Sequence, residues 1–270
     1  MPLYDEGEAR AIVCYVLETV FGLTAADIYG GTRPLPTAAL EPLMQRLERG
    51  EPVQYVTGTA LFCGRRFSVE PGVLIPRPET EDLCRWIVGD ESPRHILDIG
   101  TGSGCIAVTL ALDTQAADTT AWDISATALA VARRNATALG ADIRFVRRDM
   151  LEAAQERDSD KSLFDLIVSN PPYICDSEKA SMHVNVLDYE PHEALFVPDD
   201  APLLYYAAVA RYARRALIPG GRLYLEANPL TLQRLTDMLH DEGFTRVETR
   251  DDSYGRRRFV RVEIGRARPI

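Results

Sequence analysis

The chain of 270 residues has no C-x-x-C pair, and its five cysteines (Cys14, Cys63, Cys84, Cys105 and Cys175) are scattered and odd in number. A disulfide framework and a zinc site are therefore not expected, and a reducing, cytoplasmic setting is. The four histidines, His95, His183, His192 and His240, show no ligand spacing, so no metal is expected. No apolar run reaches the roughly 18 residues needed to span a bilayer. The opening MPLYDEGEAR is too acidic and polar for a secretory signal. A surplus of positive charge is also missing: 30 Lys and Arg stand against 40 Asp and Glu, a formal net charge of −10. Direct gripping of a nucleic-acid backbone is accordingly not expected. The one dense basic cluster, Arg256 to Arg258, reads as a solvated turn before a last strand.

What is present is ordinary globular composition, 46% hydrophobic and 26% charged. Ala9, Ile12, Val13, Val16, Leu17 and Val20 follow helical spacing, and Leu40, Leu43, Met44 and Leu47 repeat it. Residues 1–55 are thus expected to form a small helical domain. Residues 56–82, cut by Gly58, Gly64, Pro71, Gly72, Pro76 and Pro78, read as a β-hairpin linker around LFCGRRFSV. Residues 83–270 open with a helix from about 83 and then alternate strand and helix. Strands are expected at 95–100, 119–124, 143–149, 164–170, 222–228, 246–250 and 258–264, and helices at 103–112, 125–139, 203–217 and 229–242. That order implies an α/β fold with a mainly parallel sheet. The short turn between the last two strands makes them antiparallel edge neighbours.

Between the first strand and its helix stands ILDIGTGSGCIAV. Gly100, Gly102 and Gly104, with Thr101 and Ser103 between them, allow close approach of a ligand beyond the strand end. The same glycines also fit a merely tight turn. Asp123 ends the second strand 23 residues after Gly100, where a carboxylate could accept from both hydroxyls of a ribose; it could also cap the following helix. The spacing G-x-G-x-G differs from the pyrophosphate fingerprint, which favours S-adenosyl-L-methionine over a dinucleotide. Asp149 and Met150, at the end of the third strand, would flank the adenine.

The fourth strand ends in SNPPYIC. Pro171 and Pro172 cannot donate ladder hydrogen bonds and must stop the strand. Asn170 then offers an amide oxygen, and Pro171 a directed carbonyl, as two acceptors for a planar NH₂ group. Tyr173 is expected to give that group a flat face. Such a pair suits methyl transfer to an amide or an exocyclic amine, whose lone pair is delocalised. A simple capped turn would use the same residues. Adenine N6 of DNA or RNA would also fit the two acceptors.

Together FCGRRFSVEPGVLIPRPETE, ILDIGTGSGCIAVTLAL, WDIS, FDLIVSNPPYI and YEPHEALFVPDDAPLLYY resemble the HemK/PrmC family of protein-(glutamine-N5) methyltransferases. The resemblance implies a Rossmann-like class I methyltransferase domain with a seven-stranded sheet, after a helical N-terminal domain and a hairpin linker. It implies S-adenosyl-L-methionine held at Gly100–Gly104, Asp123, Asp149, Met150 and Asn170. It implies that Asn170 and Pro171 hold the glutamine amide of a Gly-Gly-Gln motif in peptide chain release factors, with Tyr173 packed against it. Arg77, Pro78 and Glu79 are expected to wall the cofactor side. A monomer that binds neither membrane nor nucleic acid is expected. Two features depart from the pattern: Met150 replaces an aromatic, and LEANPL follows the fifth strand differently, which leaves the role of Glu226 open.

Overall fold

Most of the apolar positions spaced by three and four in the first fifty residues pack together, whereas Val20 is exposed. A computed structural model describes residues 4–156 and 163–264; residues 1–3 and 265–270, at the ends of the expected first and last domains, lie outside the described residues. Four helices come first: α1 (Glu6–Phe21), α2 (Ala25–Gly30), α3 (Thr37–Glu48) and α4 (Val53–Thr57). Val16, Leu47 and Val56 form their core, with Ile12, Leu43 and Met44 packed against it. The α4 helix was not expected from the sequence; Pro52 precedes its first residue, leaving a proline outside rather than inside the turn. A hairpin follows, β1 (Thr59–Phe62) and β2 (Arg65–Ser68), joined antiparallel across Cys63 and Gly64. Both turn residues have positive φ, 46° and 73°, which matches the right-handed twist of the strands.

Helix α5 (Pro78–Asp90) begins five residues before the expected start near 83. Pro78 occupies its first position, where a missing N–H costs nothing and the fixed φ is already helical. The sheet is built from β3 (His95–Ile99), β4 (Asp118–Asp123), β5 (Arg144–Arg147) and β6 (Phe164–Ser169), alternating with α6 (Cys105–Thr114), α7 (Ala126–Leu139) and α8 (Met150–Ala153). A short parallel pair, β7 (Ile174–Cys175) and β8 (Phe196–Val197), brackets an insertion that carries α9 (Val184–Tyr189). Then come α10 (Leu204–Ala216), β9 (Leu217–Glu226), α11 (Leu232–Asp241), β10 (Arg246–Asp251) and β11 (Arg257–Glu263).

The seven-stranded sheet has the order β10-β11-β9-β6-β3-β4-β5, with β11 antiparallel to both of its neighbours, β10 and β9, and all other neighbouring pairs parallel. One face packs Leu97, Ile167, Leu223 and Leu225 against α10 and α11; the other packs Ile96, Leu166 and Val168 against α5 and α6. Burial on both faces accounts for the continuous apolar runs that marked these strands in the sequence. The order reverses between β3 and β6, so their C-terminal ends diverge into the crevice where such sheets bind ligands. Among the described residues no helix is long and apolar enough to cross a membrane.

Candidate active site

A cavity of about 300 Å³ opens at the C-terminal ends of β3, β4 and β6. The glycine turn forms its floor. Gly100 and Gly102 have φ of +74° and +55°, and a Cβ on either would meet nothing within 4 Å. The space beside them is open rather than filled by the protein. Gly104 is different. It does not line the cavity, and a Cβ there would stand 3.0 Å from the Cβ of Ala132. All three glycines were expected at the ligand; the structure places the third against Ala132, where it lets α6 approach α7.

Asp123 lines the cavity, with one carboxylate oxygen accepting from the N–H of Gly102 at 2.8 Å and the other from Ser125 at 2.9 Å. Ser125, not Asp123, caps α7 by accepting from Ala128. Each Asp123 oxygen keeps further acceptor capacity toward the cavity. Burial pushes the Asp123 carboxyl upward, and the N–H groups of Ser125 and Gly102 oppose that rise. Asp149 caps α8 by accepting from Leu151 at 2.7 Å, and with Met150 it lines the same cavity. The floor thus presents open glycines, an acceptor pair at the second strand and an apolar wall at Met150. These residues fit an adenosine-bearing ligand: Asp123 would hold the ribose diol, and Met150 would pack on the base.

Asn170, Pro171 and Pro172 line the opposite side. Ser169 anchors the strand end by donating to the Ile99 carbonyl at 2.7 Å. Asn170 donates through Nδ2 to Thr80 Oγ at 3.2 Å. Thr80 donates to Glu226 Oε2 at 2.6 Å, and Tyr173 donates to Glu226 Oε1 at 2.9 Å. Tyr173 is not among the residues that line the cavity. Its hydroxyl is held by Glu226 and its carbonyl accepts from Asn228 at 3.1 Å. These two bonds brace Tyr173 from outside the cavity lining. Both side chains that bind Tyr173, Glu226 and, in the departing turn after it, Asn228, are buried.

Of the expected wall, Arg77 lines the cavity, whereas Pro78 and Glu79 do not; Thr80, which was not expected there, does. The reason is helical periodicity: with α5 starting at Pro78, positions three apart share a face. Arg77 pairs with Glu190 at 2.6 Å, and Glu190 also accepts from the N–H of Ile75 at 3.1 Å. Glu190 is 4% exposed, so this charge is compensated inside the protein. The contact ties the VLIPRPETE stretch to YEPHEAL, 113 residues apart. Nothing in the local sequence around either motif announces that pairing. Thr80, Glu190 and Glu226 are the residues that sequence reasoning passed over or left without a role.

Asp98 lies beneath the glycine turn, fully buried. One oxygen accepts from Thr101 Oγ at 2.6 Å and from the Ala107 N–H at 3.2 Å; the other has no partner. Burial pushes its carboxyl up to about 7. The folded chain then holds a proton that the unfolded chain releases near pH 4, so this stabilisation is present at low pH and is lost as pH rises toward 7. With half the shift discounted for relaxation, wild type should lose about 2 kcal/mol of stability from pH 4 to 8 relative to Asp98→Asn. Urea unfolding of both proteins across that range checks this; parallel pH profiles would contradict it.

A family model described as "Methyltransferase small domain" matches residues 82–189. A release factor glutamine methyltransferase of Bacteroides thetaiotaomicron is 43% identical, over 96% of this chain and 94% of the relative. One from Flavobacterium psychrophilum is 38% identical, over 97% and 94%. A methyltransferase structure from Pyrococcus furiosus superposes with a TM-score of 0.56 at 18% identity, covering 83% of this chain and 99% of that one, and shows the shared fold. With identity of this degree along almost its whole length, the chain belongs to the release factor glutamine methyltransferase family.

Proposed function

We propose that the chain transfers a methyl group from S-adenosyl-L-methionine to the side-chain amide nitrogen of the glutamine in the Gly-Gly-Gln motif of peptide chain release factors. The observation that carries this reading is the convergence of two groups of residues in one cavity. Gly100, Gly102 and Asp123 line one side, and Asn170 and Pro171 the other. When bound, the cofactor supplies an electrophilic methyl on a sulfonium.

The chain's own residues then do the rest. The Asn170 oxygen and Pro171 carbonyl accept from the two N–H bonds of the glutamine amide, orient the nitrogen and stabilise the positive charge that develops on it. The nitrogen becomes acidic as it is alkylated, so no strong base is required before attack. Helices α1–α4 contribute no residue to the cavity, yet Val20, Tyr29 and Leu35 are exposed apolar side chains in this region. They are suited to docking the protein substrate.

The test is transfer of labelled methyl from the cofactor to a bacterial-type release factor. Label is expected on the wild-type factor, and none on a factor whose Gly-Gly-Gln glutamine is alanine. A short Gly-Gly-Gln peptide should show a higher KM than the intact factor. Equal label on both factors, or label on DNA or RNA instead, would overturn the reading.

A further inference from the structure

Glu226 is fully buried at the end of β9, makes no contribution to the cavity wall, and stands just before the turn that departs from the family pattern. Its two oxygens face two hydroxyl donors. An ionised carboxylate only accepts. Thr80 has a single hydroxyl hydrogen, and that hydrogen is committed to Glu226 at 2.6 Å. The lone pairs of Thr80 can therefore only accept, so the Asn170 group 3.2 Å away must be its NH₂ end. The amide oxygen of Asn170 is then the end left for the cavity. An amide rotated by half a turn would present NH₂ to a substrate NH₂, two donors facing each other.

We propose that Glu226 is a positioning residue that acts through the Thr80 hydroxyl, fixing a one-way hydrogen-bond chain that keeps the Asn170 amide oxygen turned toward the substrate nitrogen. This inference rests on the function proposed above. Tyr173 strengthens it: by donating 2.9 Å to the second oxygen, it occupies the other face of the carboxylate and supports the acceptor state. Arg258 supplies nearby positive charge while paired with Asp252 at 2.9 Å. The charge of Glu79 on α5 acts in the opposite sense. From α10, Tyr206 donates to the Glu226 backbone carbonyl at 3.2 Å.

Protonation would give Glu226 a donor and free the chain to reverse. Burial raises the Glu226 carboxyl, and the Thr80 and Tyr173 hydroxyls and Arg258 resist the rise. Activity should thus fall on acidification with an apparent pKa above that of an ordinary glutamate, because the acceptor form is the competent one.

The decisive pair of variants is Thr80→Val and Thr80→Ser. A role in packing alone would make the isosteric valine harmless and the smaller serine costly. A hydrogen-bond role reverses that order. Thr80→Ser should keep kcat within about threefold of wild type, and Thr80→Val should lose about tenfold. Glu226→Gln can donate to Thr80 and invert the chain, and kcat should fall about thirtyfold with the acid limb of the pH profile abolished.

A readout without turnover accompanies these. With S-adenosylhomocysteine bound, a Gly-Gly-Gln peptide should bind Thr80→Val about fivefold more weakly by calorimetry, while S-adenosylhomocysteine itself binds unchanged. Valine matching wild type, or serine being the worse of the two, would overturn the proposal even if Glu226→Gln failed to fold. Absence of methyl transfer by wild type would instead count against the function itself.

Discussion

Replacing Asn170 with alanine is expected to lower kcat about a thousandfold while leaving cofactor affinity within about twofold. The size follows from the weakness of the nucleophile. An amide nitrogen shares its lone pair with the carbonyl, so the reaction must pull that pair out of conjugation while positive charge grows on the NH₂ group. In the proposed mechanism the Asn170 oxygen and the Pro171 carbonyl, on residues that line the cavity, are the acceptors for that charge. Losing a preorganised polar group of this kind typically removes about two to three powers of ten from turnover.

Alanine also leaves the Thr80 hydroxyl without its donor, but Thr80 keeps its bond to Glu226, so the strand end should hold its shape. Isothermal calorimetry with S-adenosylhomocysteine and single-turnover transfer of labelled methyl separate the two quantities. A kcat within fivefold of wild type would show that Pro171 and orientation alone suffice, and the acceptor role of Asn170 would be wrong. Asn170→Asp should not rescue. A carboxylate there has no N–H for Thr80, whose only hydrogen already points to Glu226, so one bond of the chain is lost.

The readability of this site in the sequence followed the distance over which its parts interact. The meeting of Gly100, Gly102 and Asp123 at one cavity was legible because a strand, a turn and the next strand end lie within a short stretch. The central strands β3 and β6 were legible for a similar reason: burial on both faces writes an apolar run into each. The start of α5 was not. Pro78 carries the same letter whether it breaks a helix or begins one, and only the preceding chain direction decides. The Thr80–Glu226 contact joins positions 146 apart, and Arg77–Glu190 joins positions 113 apart. Neither leaves a period or a local motif. The hydrogen bond of Tyr173 was not legible because its neighbours in sequence, two prolines and Asn170, line the cavity, whereas its own hydroxyl reaches the buried Glu226. A buried acid with no charge of opposite sign beside it in sequence, such as Glu226, is the one signal that could have prompted a search for partners.

Asp123→Ala should show the opposite split: a rise of about a hundredfold in the Kd for S-adenosylmethionine, with kcat at saturation within about threefold of wild type. Two hydrogen bonds from a ribose diol to a charged acceptor in a partly enclosed site are enough for that change. A second explanation must be separated from this one, because Asp123 also accepts from Gly102 and Ser125. Its removal leaves two N–H groups unpaired and could loosen the glycine turn. The cofactor analogue lacking the 2′-hydroxyl distinguishes the two. If Asp123 binds the diol directly, wild type should discriminate against the deoxy analogue, and the alanine variant should have lost most of that discrimination. If the turn is merely loosened, both cofactors should weaken by the same factor and the discrimination should survive. Equal weakening would assign Asp123 to the support of Gly102 and leave the ribose to another group. Since Asn170→Ala is expected to alter kcat without Kd, and Asp123→Ala the reverse, the two variants measured side by side test whether the cavity divides its work between its two walls.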